Sequence, residues 1–97
     1  MSSSSVVISI PSALRGFVGG AASVEVQADS VAAALEALTT QHPRLAPHLR
    51  DGSGKIRSFV NIYLNDEDVR FLPGKDAAPV KAGDVLTIVP SIAGGVA

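Results

Sequence analysis

Val85-Leu86-Thr87-Ile88-Val89, closed by Pro90, is the strongest strand signal in the chain, and its reading decides the fold. Apolar residues occupy both its odd and its even positions, a pattern typical of a strand in the interior of a sheet. Pro90 ends the signal because proline has no N–H to offer a ladder. A last strand in an interior position must have neighbours on both sides, and earlier parts of the chain have to supply them.

Working back, Ala82-Gly83-Asp84 turns the chain into this strand, and Pro73-Gly74 breaks what precedes it. Val69-Arg70-Phe71 reads as a short strand, entered through a polar turn at Asn65 to Asp68. Phe59-Val60-Asn61-Ile62-Tyr63-Leu64 alternates, with Val60, Ile62 and Leu64 facing one way. Arg44 to Ser58 is the longest connection. In it Leu45 and Leu49 have the spacing of one helical turn, and Asp51-Gly52-Ser53-Gly54 marks a turn. A helix is predicted over Val31 to Gln41, with Val31, Leu35 and Leu38 on one stripe and Ala34 beside them. Asp29 or Ser30 can cap it, and Pro43 stops it by pushing His42 out of the α region. Ser23 to Gln27 alternates as a strand, Pro11 to Ala22 is a connection punctuated by Gly16, Gly19 and Gly20, and Val6 to Ile10 is a β-branched first strand. Ser2 to Ser5 is expected to be frayed.

The order is strand, strand, helix, strand, strand, strand. A hairpin, one main helix and a return to the same sheet make a two-layer α+β domain. The hairpin, the helix and the long connection supply enough chain for the last strand to run parallel to the first. This is the β-grasp (ubiquitin-like) architecture, a mixed sheet of about five strands packed on one helix. Its expected organisation is a body over residues 1–90 and a flexible C-terminal tail over 91–97.

The tail, Ser91-Ile92-Ala93-Gly94-Gly95-Val96-Ala97, is small, uncharged and without periodicity. Fully extended, it reaches roughly 24 Å at about 3.4 Å per residue, far enough to enter another protein's active site. Two glycines without a Cβ present the thinnest possible chain to a narrow channel. Gly19-Gly20 repeats the dipeptide, so Gly-Gly alone is a weak signal; its place after the last strand is the informative part.

Composition narrows the function. Ninety-seven residues, 46% hydrophobic and 18% charged, make one globular domain. A net charge of −1 with no basic run argues against nucleic acid and anionic membranes as partners. There are no cysteines, hence no disulfides, thiolate metal sites or thiol nucleophiles. Met1 to Ile10 has no basic n-region of a signal peptide, and no apolar stretch nears the ~20 residues of a membrane helix, so the cytoplasm is the default compartment. His42 and His48 have no acidic ligand in register, and Asp66-Glu67-Asp68 lacks the spacing of a calcium loop, so no metal is expected. Gly16 to Gly20 lacks GK[ST] and precedes a strand, so it is not a phosphate loop. No catalytic constellation appears.

A β-grasp body ending in a Gly-Gly tail resembles the ThiS/MoaD family of ubiquitin-like sulfur carriers, in particular its cysteine-biosynthesis branch. The run Phe59 to Phe71 is similar to that branch's signature, as are Ile10-Pro11 with Leu14-Arg15, Gly83-Asp84, and Ile92-Ala93-Gly94-Gly95. The resemblance implies a protein cosubstrate, not an enzyme. An E1-like adenylating enzyme would use ATP to activate the carboxylate of Gly95, and a persulfide would convert it to a thiocarboxylate. Ser91, Ile92, Ala93 and Gly94 would thread into the partner. The client would be a sulfur-accepting synthase, foremost a PLP-dependent cysteine synthase, with molybdopterin, thiamin and secondary-metabolite enzymes as alternatives. Carriers ready for use end at the second glycine, so a JAMM-type metalloprotease is expected to remove Val96-Ala97. No cofactor is expected on the chain itself, and a free tail suits a monomer.

Phe59 and Tyr63, out of phase with the inward residues, are expected on the sheet face away from the helix, either as a docking pair or as rings that cover loop residues. A rival reading keeps the activation but joins Gly95 to lysines of target proteins; another makes the domain an inert interaction module.

Overall fold

The computed structural model describes residues 4–50, 52–53, 56–57 and 60–90. Its strands are β1 (Ser4–Ser9), β2 (Ser23–Ala28), β3 (Val60–Leu64), β4 (Glu67–Asp68) and β5 (Val85–Pro90). They form one sheet in the order β2-β1-β5-β3-β4. β5 runs parallel to β1, with Val7 opposite Val85 and Ser9 opposite Thr87. It runs antiparallel to β3, with Ile62 opposite Ile88 and Leu64 opposite Leu86. The last strand is therefore central, as its apolar pattern requires.

Helix α1 (Val31–Gln41) crosses one face of the sheet. The Ser30 hydroxyl accepts from the Ala33 N–H at 3.1 Å and caps it, satisfying one donor that has no partner within the helix. Val31, Ala34, Leu35 and Leu38 are buried against Val6, Ile8, Val26, Leu86 and Ile88. After the helix a 3-10 turn (Pro43–Leu45) leads into α2 (Ala46–Leu49), and Leu45 and Leu49 are fully buried. That short segment closes the core at the end of the sheet where β5 finishes. The Cα radius of gyration, 12.6 Å, matches the roughly 13 Å of a compact chain this long.

Four expectations need correction. Ser4 and Ser5 are not frayed: they pair with Ala28 and Gln27, because β2 is long enough to offer them partners. The connection after β1 contains a 3-10 segment, Ser12–Val18, anchored by buried Leu14 and Val18. Val69–Phe71 is a 3-10 turn and not a strand; the fourth strand is the preceding Glu67–Asp68. The cause is local. Asn65 takes a left-handed φ of 57°, so Asn65-Asp66 alone makes the turn and pairing starts earlier. The Asp68 carboxylate then accepts from the Arg70 N–H at 2.9 Å, which pulls the next residues into a 3-10 turn. Last, Pro90 is still in register, opposite Val60.

Among the described residues, Asp84 is the polar residue that the fold buries as a whole. It accepts from the Lys81 N–H at 2.9 Å and the Asn65 side-chain amide at 3.3 Å. Asn65 in turn accepts from the Val85 N–H at 3.1 Å and donates its own N–H to the Val85 carbonyl at 2.7 Å. Gly83, at φ +90°, makes the turn that aims Asp84 inward. This clasp fixes where β5 begins. Asp84→Ala is expected to cost about 1–3 kcal/mol, because it strands donors at a buried position. Leu38→Ala is expected to cost about 2–5 kcal/mol as a cavity. Urea unfolding of both variants checks this, and the Asp84 effect should shrink when Asn65 is already alanine.

Candidate functional site

A tail that does chemistry elsewhere needs a fixed root and a surface that its partner can grip. The root is Pro90. It lies on the central strand, opposite Val60, and the residues before it are held by β3 throughout and by β1 up to Thr87. Ser91, Ile92, Ala93, Gly94, Gly95, Val96 and Ala97 lie outside the described residues, as does Phe59.

The sheet face away from α1 is the candidate grip. β5 presents Val85, Thr87 and Val89 there; Val85 is 36% and Val89 38% exposed. The strand is interior, as predicted, yet only Leu86 and Ile88 on its other face enter the core. Its two-sided apolarity thus serves one buried and one open face. By register, Val7 lies beside Val85, Tyr63 beside Thr87 and Asn61 beside Val89. Tyr63 is half-buried and sits on this face, as its phase in the strand requires.

A polar border closes the patch on the β4 side. The Arg70 guanidinium donates to Asn61 Oδ1 at 2.7 Å and pairs with Asp68 Oδ2 at 3.1 Å. The side-chain hydrogen bond from Arg70, then its backbone N–H, then its charge hold the Asp68 carboxyl below its usual 3.8. The same side-chain hydrogen bond, with the carboxylate's charge, raises Arg70. The acidic run 66–68 is therefore a turn and strand partnered by Arg70, and among the described residues no three His, Cys, Asp or Glu side chains converge on a metal site. On the outside of the turn, Phe71 is 83% exposed.

The histidines are surface residues, as the spacing implied, but one contact was not legible. The His48 ring stacks on Phe17 with centroids 4.1 Å apart, joining the 3-10 segment after β1 to α2. Residues so far apart in sequence leave no local signal for such a pair. Gly19 and Gly20, at φ +72° and +86°, end that segment and lead into β2, so no helix N-terminus follows them. No helix among the described residues is long and apolar enough to cross a membrane.

Residues 8–95 match the model of the ThiS family. The sulfur carrier protein CysO of Mycobacterium tuberculosis is 44% identical over 92 residues, which cover 93% of this chain and 98% of that protein. Among solved structures, one from the Amycolatopsis orientalis BexX/CysO complex superposes with a TM-score of 0.82 at 42% identity, covering 93% of this chain and 99% of that one. SAMP1 of Haloferax volcanii superposes with a TM-score of 0.79 at 26% identity, covering 94% and 99%.

Because Asp68 is depressed when folded, its contribution to stability is present above the unfolded carboxyl value and is lost as pH falls through the lower folded one. Carbon-detected NMR titration of Asp68 should give a midpoint below 3.8, returning to the ordinary range in Arg70→Gln. An unchanged midpoint in that variant would remove Arg70 as the cause.

Proposed function

The chain belongs to the ThiS family, whose members are small protein carriers and not catalysts, and on that premise we propose that it carries sulfur for cysteine synthesis on the carboxylate of Gly95. The body, residues 1–90, provides recognition, and residues 91–97 provide delivery. The observation that carries the reading is the family match: it runs from Ile8 through the rest of the body and stops at Gly95, leaving Val96 and Ala97 beyond it.

The chemistry requires a free glycine carboxylate. A JAMM-type metalloprotease hydrolyses the Gly95–Val96 peptide bond, and the monomeric carrier then docks on an E1-like enzyme. The Gly95 carboxylate attacks the α-phosphorus of ATP held by that enzyme and releases pyrophosphate. A persulfide sulfur attacks the acyl carbon, AMP leaves, and a second thiol cleaves the S–S bond, giving the thiocarboxylate and a disulfide. The product is a soft sulfur nucleophile, suited to a PLP-dependent cysteine synthase acting on an activated serine. This chain has no cysteine to intercept the acyl-adenylate.

Ser91 to Gly94 thread the partner's channel, and the open face around Tyr63, Val85 and Val89, together with Phe59, which lies outside the described residues, grips the partner outside. Two exposed valines on one face of a strand, on either side of Thr87, suit that use, and the Amycolatopsis relative is described in a complex with BexX.

Intact-mass measurement of the protein isolated from its own cells tests the proposal. The expected species lacks Val96-Ala97 and has one terminal oxygen replaced by sulfur. In parallel, protein ending at Gly95 should support ATP–pyrophosphate exchange with the adenylating enzyme, whereas protein ending at Ala97 should not. Equal exchange by both would eliminate the trimming step. Likeness to SAMP1, which a related structure describes as a small archaeal modifier protein, favours a second reading as a protein modifier; trimmed protein without sulfur but with isopeptide adducts would select it.

A further inference from the structure

The net charge of −1 hides a segregation of charge along the strand axis. At the end where β5 begins lie Asp29, Asp66, Glu67 and Asp84, with Lys75 and Lys81. At the other end, where Pro90 closes β5, the topology gathers arginines. Arg15 follows β1, the parallel neighbour of β5, and its Nε donates to the Ile10 carbonyl at 3.0 Å. Arg44 stands exposed in the 3-10 turn after α1. Arg57 donates to the Pro47 carbonyl at 2.8 Å, just before Val60, the residue opposite Pro90. Arg50 and the partly exposed His42 belong to the same connection, and the Phe17–His48 stack ties it to the segment after β1.

Among the described residues, the acids lie away from this end. Glu25 lies at mid-strand opposite Val7, Glu36 at mid-helix, and Asp68 is engaged by Arg70. Arg15 and Arg44 have no carboxylate within ion-pair distance among the described residues. Asp51 and Lys55 lie outside the described residues and are of opposite sign.

We infer that this basic rim around the tail root docks against an acidic protein surface, the mouth of the channel through which the adenylating partner takes the tail. That the partner is the adenylating enzyme rests on the sulfur-carrier reading; that its surface is acidic rests on the charge distribution alone. Five residues separate Pro90 from the reacting carboxylate of Gly95, a reach of roughly 17 Å. To use that reach, a partner must bring its channel mouth against the rim, within the ~8 Å screening length of physiological salt. Brought into contact, guanidinium forks match carboxylates, and rim charges of this kind act on encounter and register more than on the chemical step.

The test begins with ¹⁵N NMR titration of the full chain with hexaglutamate at low ionic strength. Expected are shifts at the amides around Arg15, Arg44 and Arg57, and none at Lys75 and Lys81. Shifts at the lysine end, or none, would overturn the inference, as would binding of a single-stranded oligonucleotide at the rim in preference to hexaglutamate. With the purified adenylating enzyme, Arg44→Glu should lower kcat/KM by about 5- to 20-fold through KM and flatten its dependence on salt, while Lys81→Glu should do neither. Equal effects of the two would also overturn it, provided both melt like the parent. Should the Gly95-terminated parent not be adenylated at all, the sulfur-carrier reading falls, and the hexaglutamate titration still decides the rim.

Discussion

The fold depends on the seating of β5 between β1 and β3. Without it, β1 and β2 form a two-stranded ribbon and β3 and β4 a second, shorter one, and neither covers α1. Isolated two-stranded ribbons are marginal in water. With β5 in place, Leu86 and Ile88 join Val6, Ile8 and Ile62 in one buried layer, and the helix stripe of Val31, Leu35 and Leu38 has a surface to cover. The Asn65–Asp84 clasp matters for the same reason. It ties the turn between β3 and β4 to the first residue of β5, so the register of the central strand is set at its start.

The same placement links structure to function. The one element that holds both halves of the sheet together also carries the tail, so the root cannot shift without loss of the core. One face of β5 is spent on stability, and the other carries the open Val85 and Val89. Arginines lie at the end where the strand stops, so the proposed apolar grip and the proposed basic rim adjoin one another.

Much of this was legible in the residues. The bounds of α1, a cap at Asp29 or Ser30, its buried stripe and the anchoring of Leu45 and Leu49 follow from spacing and capping chemistry, which act locally; the structure selects Ser30 as the cap. The central, parallel place of β5 followed from its two-sided apolarity and from the length of the crossover. Less legible were features created by side chains meeting across the chain. Nothing in Val69-Arg70-Phe71 announces that the Asp68 carboxylate will cap it into a 3-10 turn, since β-branched and aromatic residues read as strand. Nor does sequence say that the second apolar face of β5 stays open, because alternation reports polarity and not coverage. The arginines are scattered singly from Arg15 to Arg57, and only the topology brings them to one end. Of the tail the sequence shows Gly94-Gly95 and their distance along the chain from Pro90, while Ser91 to Ala97 lie outside the described residues.

The parallel pairing of β1 and β5 also has a mechanical consequence. A partner that takes hold of the tail and pulls does so along the axis of β5, and the chain enters β1 from the opposite end of the sheet. Load applied in that direction is shared among the ladder bonds on both sides of β5 at once, in shear, instead of opening them one at a time as a zipper would. Resistance to such tugging is set by the barrier to unfolding and not by overall stability. Under the proposed function, a body built this way resists being drawn against a narrow opening better than one whose last strand could peel from a sheet edge.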